Sequence, residues 1–273
     1  MLSRSSRVVA GALVLTLATA VPARAGSLSS SAQGTYATLT YRGPVTQASD
    51  LTLTITRHGT AGLHESVSSP MCGRLCWPAP VGPVLRVVNL GGTRPDVVVS
   101  LYSGGAHCCF IDQVFTESPE GTFVAKELTL GDPSARLERL SRGPLVFVTA
   151  DDSFAYAFTD YAASGLPVKI LAFRAQHFVD VTGDYPSVVA RDAQRWWRAF
   201  TSTSSSHYAD SVGLIAAWAA DEDRLGRATM VARVLAAQER AGHLHSSLDP
   251  VSGGGWHFVA QLNDLLTRLG YRL

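Results

Sequence analysis

The sequence predicts an α+β fold in which an antiparallel β-rich domain is followed by a C-terminal helical subdomain packed on it. Up to about residue 185, short stretches of β-branched and aromatic residues alternate with Gly, Pro and Asn turns, which is typical of antiparallel strands. After Tyr185-Pro186 the apolar residues recur at helical spacing. We therefore expect a signal peptide at 1–25, a β-rich domain (a sandwich, a barrel or a propeller-like fragment) at 26–185, and helices at 186–273.

The amino-terminal segment has the three parts of a secretory signal. Arg4 and Arg7 precede an apolar stretch of about 14 residues, which is too short to span a bilayer comfortably. Ala23-Arg24-Ala25 then places small residues at the two positions that a signal peptidase reads. We expect cleavage near Ala25, a secreted protein on the extracellular or cell-envelope side, and no membrane span in the mature chain.

Nine segments of the β-rich region have the character of strands. The second of them, for example, alternates leucine or isoleucine with threonine, as a strand with one buried face does. Turn residues such as Arg42-Gly43-Pro44 and Glu120-Gly121 separate the segments. The expected strands are Tyr36–Tyr41, Leu51–Thr56, Val84–Leu90, Asp96–Tyr102, Phe110–Phe115, Phe123–Leu130, Leu145–Thr149, Phe154–Phe158 and Val168–Arg174.

Four segments of the remaining chain have a helical period. Pro186 suits the first turn of the first helix, and the polar run at 201–206 interrupts the pattern after it. Large aromatic residues at helical spacing are more typical of a core than of a sugar-binding surface. The expected helices are 186–200, 211–221, 224–242 and 256–269.

The charge balance argues against two classes of partner. The whole chain has 23 basic and 22 acidic residues, and loss of the signal with Arg4, Arg7 and Arg24 leaves 20 basic against 22 acidic. A mature chain with a net charge near −2 has no electrostatic basis for binding nucleic acid or an anionic membrane. The expected partner is therefore an unknown extracellular ligand or an envelope component, with no nucleic acid.

The four cysteines, Cys72, Cys76, Cys108 and Cys109, are expected to form two disulfides, because an exported chain meets oxidising conditions. Three pairings are possible. On an extended strand the adjacent sulfurs would point to opposite faces, which hinders two simultaneous cross-links between the pairs. We favour a local Cys72–Cys76 bond with a vicinal Cys108–Cys109 bond, and the cross-linked pairings stay open.

A metal site at these cysteines would also use His107. Adjacent cysteines rarely direct both sulfurs at one ion, and Cys-x3-Cys is a loose spacing for zinc. We therefore expect no metal and no cofactor. Thiolates and imidazole suit copper, and a strained vicinal bond can respond to redox potential, so a thiol redox or copper-binding protein is kept as an alternative.

Part of the chain carries a resemblance to known proteins. Asn89 to Val99 is a Gly-rich loop followed by a hydrophobic strand, and it is distantly similar to the loop and strand of FG-GAP/VCBS-type β repeats. Most of the mature chain resembles a group of secreted bacterial proteins that carry a GGAHCC motif, and this resemblance brings no activity with it. The segments that carry it are 89–109, which includes the motif at 104–109, and 149–158, 178–186 and 258–271.

The repeat-like loop departs from the calcium-binding form of those repeats. Their loop supplies aspartate oxygens at positions where this chain has Asn89, Gly91 and Thr93. Calcium needs six to eight oxygen ligands with enough negative charge to offset dehydration. A loop with no carboxylate before Asp96 is a poor calcium site, and we expect none.

Three further residues are candidates for function. Asp151 and Asp152 could act as paired carboxylates, but neighbours in a strand face opposite ways, so we expect them to bind nearby amides of a turn. His107 is the third candidate and is more simply a hydrogen-bonded loop residue. In a secreted hydrolase with dispersed catalytic residues, His107 and one of these aspartates would be the first suspects.

Together these patterns predict a secreted, disulfide-stapled, β-rich protein. We favour a non-enzymatic extracellular binding or envelope-associated module that uses loops of the β-rich domain. The alternatives are the secreted hydrolase and the thiol redox or copper-binding protein. Convergence of His107 with the acidic pair in one cleft would favour the hydrolase.

Overall fold

The fold was analysed in a computed structural model, which describes residues 25–72, 75–106, 108–203, 210–244, 246 and 255–271. Within these residues, thirteen strands form three antiparallel sheets and four helices follow them. The predicted α+β class, with strands first and helices last, is confirmed. The predicted signal sequence up to residue 24 and the candidate His107 lie outside the described residues.

Sheet 1 is a four-stranded meander with one buried face. Along its second and third strands, buried apolar residues alternate with threonines on the outer face. In the second and third strands, Leu39, Leu53 and Ile55 are fully buried, while the threonines between them are partly or fully exposed. This is the period of two expected for a sheet with one buried face. The strands, which pair in chain order, are β1 (Ala25–Ala32), β2 (Thr35–Arg42), β3 (Ser49–Arg57) and β4 (Thr60–Ser66).

Sheet 2 lies between the other two sheets and is buried on both faces. Val97, Val99 and Leu101 of its central strand join a core with sheet 1, whereas Val98 joins a core with sheet 3. A strand covered on both sides reads as an unbroken apolar run, and this explains the sequence DVVVSLY. The strands are β5 (Trp77–Pro78), β6 (Leu85–Val88), β7 (Asp96–Tyr102), β8 (Phe110–Glu117) and β9 (Phe123–Gly131).

Sheet 3 lies between sheet 2 and the helices. Phe147, Leu171 and Phe173 pack toward sheet 2, and Val148 and Ile170 pack in a core that includes Val189 of the first helix. The strands, which also pair in chain order, are β10 (Arg136–Glu138), β11 (Val146–Ala150), β12 (Val168–Arg174) and β13 (His177–Asp180).

The helices bury a core of their own around α2. Ile215, Trp218 and Phe200 lie in this core, and almost every residue of α2 is buried. No helix in the described part of the chain is both long and apolar enough to cross a membrane. The helices are α1 (Pro186–Thr203), α2 (Val212–Arg224), α3 (Ala228–Arg240) and α4 (Gly255–Arg268).

One expected strand is wrong. Phe154–Phe158 is not extended: a short 3-10 helix spans Asp152–Phe154, and turns follow it. Phe154 and Phe158 are buried in the helical core, where they pack edge-on against Tyr271 and Phe258. The spacing of aromatic residues in this segment reflects anchoring to the helices and not the alternation of a strand.

Candidate functional site

A cleft of about 510 Å³ opens between the ends of sheets 2 and 3. Its walls come from the segment just before β8, the end of β9, the end of β11 with the residues that follow it, and β12. Cys108, Cys109, Asp151, Asp152 and Lys169 all line it. The fold therefore brings the vicinal cysteines and the acidic pair, which are about 40 residues apart, to one place.

The two cysteines of the cleft are bonded to each other. The structure pairs Cys108 with Cys109, and it pairs Cys72 with Cys76, so none of the four is free. The peptide bond between Cys108 and Cys109 is cis. The cross-linked pairings that the sequence left open are not those of this structure.

Ser103 holds the loop that carries the vicinal disulfide. Its amide donates to the Cys109 carbonyl at 3.0 Å, and its hydroxyl bridges the Cys108 carbonyl and the Cys109 amide at 2.5 Å each. Gly105 lies so close to the Cys108 carbonyl that a Cβ would meet it at 2.5 Å. The glycine and serine of this segment therefore fix the disulfide at the mouth of the cleft.

Asp151 is a buried structural anchor. Its Oδ2 accepts a hydrogen bond from the Tyr271 hydroxyl at 2.9 Å. Its Oδ1 accepts from the Ser153 amide at 3.2 Å and lies 3.5 Å from Lys169 Nζ. Both oxygens are thus occupied, and the side chain ties the C-terminal end of the described chain to sheet 3.

Asp152 is placed differently, with its carboxylate partly exposed in the cleft. Oδ1 accepts a hydrogen bond from the Asp132 amide at 3.0 Å. Oδ2 accepts no hydrogen bond from any described residue and lies against Gly131, which has φ of +75° and no room for a Cβ. Of the acidic pair, Asp152 therefore keeps the oxygen whose acceptor capacity the described residues leave unused.

The two aspartates do not lie in a strand. Asp151 is the N-cap of the 3-10 helix Asp152–Phe154, and both residues line the cleft. The cap itself matches the expectation that they bind nearby amides, since Asp151 accepts from Ser153. His107 precedes Cys108 in sequence, but its own position lies outside the described residues.

Sequence reasoning missed two residues of the site. Lys169 is an isolated lysine within an apolar strand, and it is 32% exposed where it faces Asp151. Tyr271 reaches Asp151 from 120 positions along the chain, and burial raises its pKa above the ordinary range. A lysine inside the apolar strand at 168–174 was a usable signal for the first, whereas no local pattern indicates the second.

The repeat-like loop lies at the opposite end of the interface between sheets 2 and 3. It lines two adjoining cavities of about 360 and 440 Å³. Asp96 is buried there and accepts from the Leu90 amide at 3.4 Å; its burial raises its pKa. Glu117 pairs with both Arg57 and Arg94 nearby. The carboxylates of this region are used in structural contacts within the protein.

No three His, Cys, Asp or Glu side chains among the described residues are grouped so that they could hold a metal ion. The bonded sulfurs of the vicinal pair also differ from the thiolates that bind zinc or copper, because a disulfide sulfur carries no charge.

Comparison with known proteins finds two relatives of limited extent. A probable thylakoid lumen protein of Synechocystis is 29% identical over 140 residues, which cover 43% of this chain and 41% of the relative. An uncharacterized protein of Sinorhizobium fredii is 27% identical over 89 residues, 32% of this chain and 14% of the relative. The matches thus span less than half of each relative. No family profile and no solved structure matches the chain.

Proposed function

We propose that this chain is an exported, disulfide-stapled binding module, with a β-rich part at 26–185 and a helical part at 186–273. Its ligand site is the cleft lined by the Cys108–Cys109 disulfide, Asp152 and Lys169. The observation that carries the proposal is the convergence of these groups in a cavity of about 510 Å³, a size typical of sites for small ligands.

Three observations support export. The chain begins with the basic, apolar and small-residue parts of a signal sequence. A relative is named for the thylakoid lumen, a compartment that lies beyond a membrane. The sulfurs of each cysteine pair lie within bonding reach of each other, and disulfides persist in oxidising compartments. The proposed resemblance to secreted GGAHCC proteins agrees with this location, and the buried strand that precedes the motif agrees with an FG-GAP-like repeat.

The contacts of the acidic pair favour binding over hydrolysis. Hydrolysis by two carboxylates needs one group to donate a proton while the other activates water or attacks the substrate. Both oxygens of Asp151 are engaged, by Tyr271 on one side and by Ser153 and Lys169 on the other. Asp152 alone offers a free acceptor, which suits ligand recognition.

The proposal can be tested with the purified mature protein and a small-molecule library of sugars, polyols, amines, amino acids and carboxylates. We expect at least one class to raise the thermal midpoint of the wild type. The gain should be lost in Asp152→Asn and in Lys169→Ala. Asp264→Asn is the matched control, because this exposed aspartate lies on α4 and pairs with Arg268 of the same helix at 3.0 Å.

Two outcomes would overturn the proposal. One is the absence of any ligand that stabilises the wild type and depends on Asp152 or Lys169. The other is turnover of chromogenic ester, glycoside or phosphate substrates that is abolished in Asp152→Asn, which would establish the hydrolase instead. Peptide mapping without reduction tests the two disulfides. Recovery of free thiols at Cys108 and Cys109 would favour the thiol redox or copper-binding protein instead.

A further inference from the structure

The cleft has an apolar side that continues the core between sheets 2 and 3. Leu171 belongs to that core, and the partly buried Leu128 and Phe178 pack against it. All three line the cleft, together with the buried Leu130. Met71, which is 46% exposed, lines it as well. The cleft is therefore an opening of the apolar core between the sheets, and it suits a ligand with an apolar part.

The vicinal disulfide belongs to the same side of the cleft. Cys109 is buried and Cys108 is partly exposed, and both line the cavity. The Cys108 carbonyl and the Cys109 amide are already bonded to the Ser103 hydroxyl. Sulfurs that are joined to each other carry no charge, and sulfur is polarizable, so the pair suits contact with an apolar group.

Lys169 places a positive charge beside this apolar side. It lies two residues before Leu171 on β12, so the two side chains are on the same face of sheet 3. Lys169 is 32% exposed, and its Nζ lies 3.5 Å from Asp151 Oδ1. A charge-assisted hydrogen bond is shorter, at about 2.7–2.9 Å, and the Asp151 oxygens have other donors in Tyr271 and Ser153. The ammonium of Lys169 therefore keeps donor capacity for a ligand.

Asp152 places a negative charge in the same cleft. Its Oδ1 accepts from the Asp132 amide, and its Oδ2 has no donor among the described residues. Within that part of the chain, no lysine, arginine or histidine forms an ion pair with Asp152. An ammonium group on a ligand would supply both a donor and the opposite charge.

We propose that the ligand of this cleft is an α-amino acid with an apolar side chain. Its ammonium donates to Asp152, its carboxylate accepts from Lys169, and its side chain lies on the apolar side of the cleft. The cavity of about 510 Å³ is within the range of sites for small ligands. This inference rests on the proposed binding function, and it names the chemical class of the ligand.

A ligand with a single charge fits this cleft less well. An amine gives Asp152 a donor but covers the Lys169 ammonium without offering it an acceptor. A carboxylic acid gives Lys169 an acceptor but leaves Asp152 without a donor. A polar group that loses water without gaining a hydrogen bond costs free energy, and the cost is larger for a charged group. An amino acid gives each of the two charges a partner.

The test is calorimetric titration of the mature wild-type protein with four probes. L-Phenylalanine has both charges and an apolar body; phenethylamine lacks the carboxylate, 3-phenylpropionate lacks the ammonium, and glycine lacks the apolar body. We expect L-phenylalanine to bind, and each of the other three to bind about tenfold more weakly or worse, because each lacks one contact. The same series built on L-leucine, with 3-methylbutylamine and 4-methylpentanoate, covers an aliphatic body.

Two variants assign the charges of the ligand to residues of the cleft. Asp152→Asn should weaken the binding of L-phenylalanine by about tenfold or more and should not weaken that of 3-phenylpropionate, which has no ammonium. Lys169→Met should weaken L-phenylalanine to a similar extent and should not weaken phenethylamine, which has no carboxylate. Lys126→Met is the matched control, because Lys126 is the other lysine of the chain and is not among the residues that line the cleft.

The outcomes separate this inference from the function on which it rests. If no amino acid binds but another small molecule binds through Asp152 and Lys169, the ligand class is wrong and the binding module stands. If an amino acid binds and neither variant weakens it, or if its amine or acid analogue binds as tightly, the pairing of charges is wrong. If nothing binds at all, both proposals are overturned. Circular dichroism of each variant checks that a lost affinity is not a lost fold.

Discussion

Asp221→Asn is expected to stabilise the protein at neutral pH. Asp221 lies in α2 with no exposed surface, and neither of its oxygens accepts a hydrogen bond from a described residue. The negative charge of Asp192 on α1 acts on Asp221, and Asp192 Oδ2 already accepts from the Val168 amide and the Trp196 indole at 3.0 Å each. Burial beside a second carboxylate favours the uncharged form of a carboxyl group, and we assign a proton to Asp221.

The magnitude follows from proton linkage. Burial, and then the charge of Asp192, raise the pKa of Asp221 to about 9, although Arg195 and Arg224 oppose the shift. The folded state therefore binds the proton more tightly than the unfolded chain, whose carboxyl has its ordinary value of 3.8, and stability falls as pH rises from about 4 to about 9. At pH 7 this loss is about 4 kcal/mol, at about 1.4 kcal/mol for each pH unit above the unfolded value.

Asparagine has nearly the same shape as aspartic acid and cannot ionise, so the variant should escape this loss. Urea unfolding followed by circular dichroism at pH 4, 7 and 8.5 measures the free energy of unfolding. We expect a gain of about 2–4 kcal/mol at pH 7, a larger gain at pH 8.5, and almost none at pH 4. The exposed Asp264→Asn should change stability by less than about 0.5 kcal/mol at each pH. A variant less stable than wild type at pH 7, or a gain independent of pH, would refute the reasoning.

Three other substitutions test the packing around the cleft and the helical core. Tyr271→Phe removes the 2.9 Å hydrogen bond to Asp151 and leaves a buried acceptor without its donor. Urea unfolding should therefore show a free energy of unfolding lower by about 1–3 kcal/mol. An unchanged urea midpoint would contradict the role of Asp151 as an anchor. Gly131→Ala puts a Cβ against the Asp152 carboxylate at a residue with φ of +75°. The same assay should show a free energy of unfolding lower by about 1–2 kcal/mol or more. An unchanged stability would mean that the carboxylate moves freely. Phe200→Ala empties a fully buried position and should cost about 3–5 kcal/mol, which calorimetry would record as a fall in thermal midpoint of roughly 6–20 °C; a fall under 3 °C would not fit a packed core.

The strands that the sequence predicted well are those with a buried face. Asp96–Tyr102 and Val168–Arg174 were predicted with the bounds that the structure gives, because both are apolar runs ended by turn residues. Pro186 likewise begins α1 as expected, since its fixed φ suits a first helical turn.

The missed strands are mostly edges with polar faces. β1 is rich in serine and has no buried residue, and in β4 only Leu63 is buried, so neither has an apolar alternation to detect. β10 and β13 are three and four residues long. Such segments become strands because a neighbouring strand supplies hydrogen bonds, which is a tertiary effect that local propensity does not encode.

The sequence by itself determined the α+β class, the order of strands and helices, and the residue types worth watching: the GGAHCC segment and the acidic pair. These depend on local periodicity and on short spacings, which one stretch of chain contains. Only the tertiary structure decided that both groups line one cleft, and that the two oxygens of Asp151 are occupied while Asp152 keeps one that the described residues leave unused. Those facts depend on contacts between residues 20 to 120 positions apart, and such contacts are set by how sheets 2 and 3 and the helices pack.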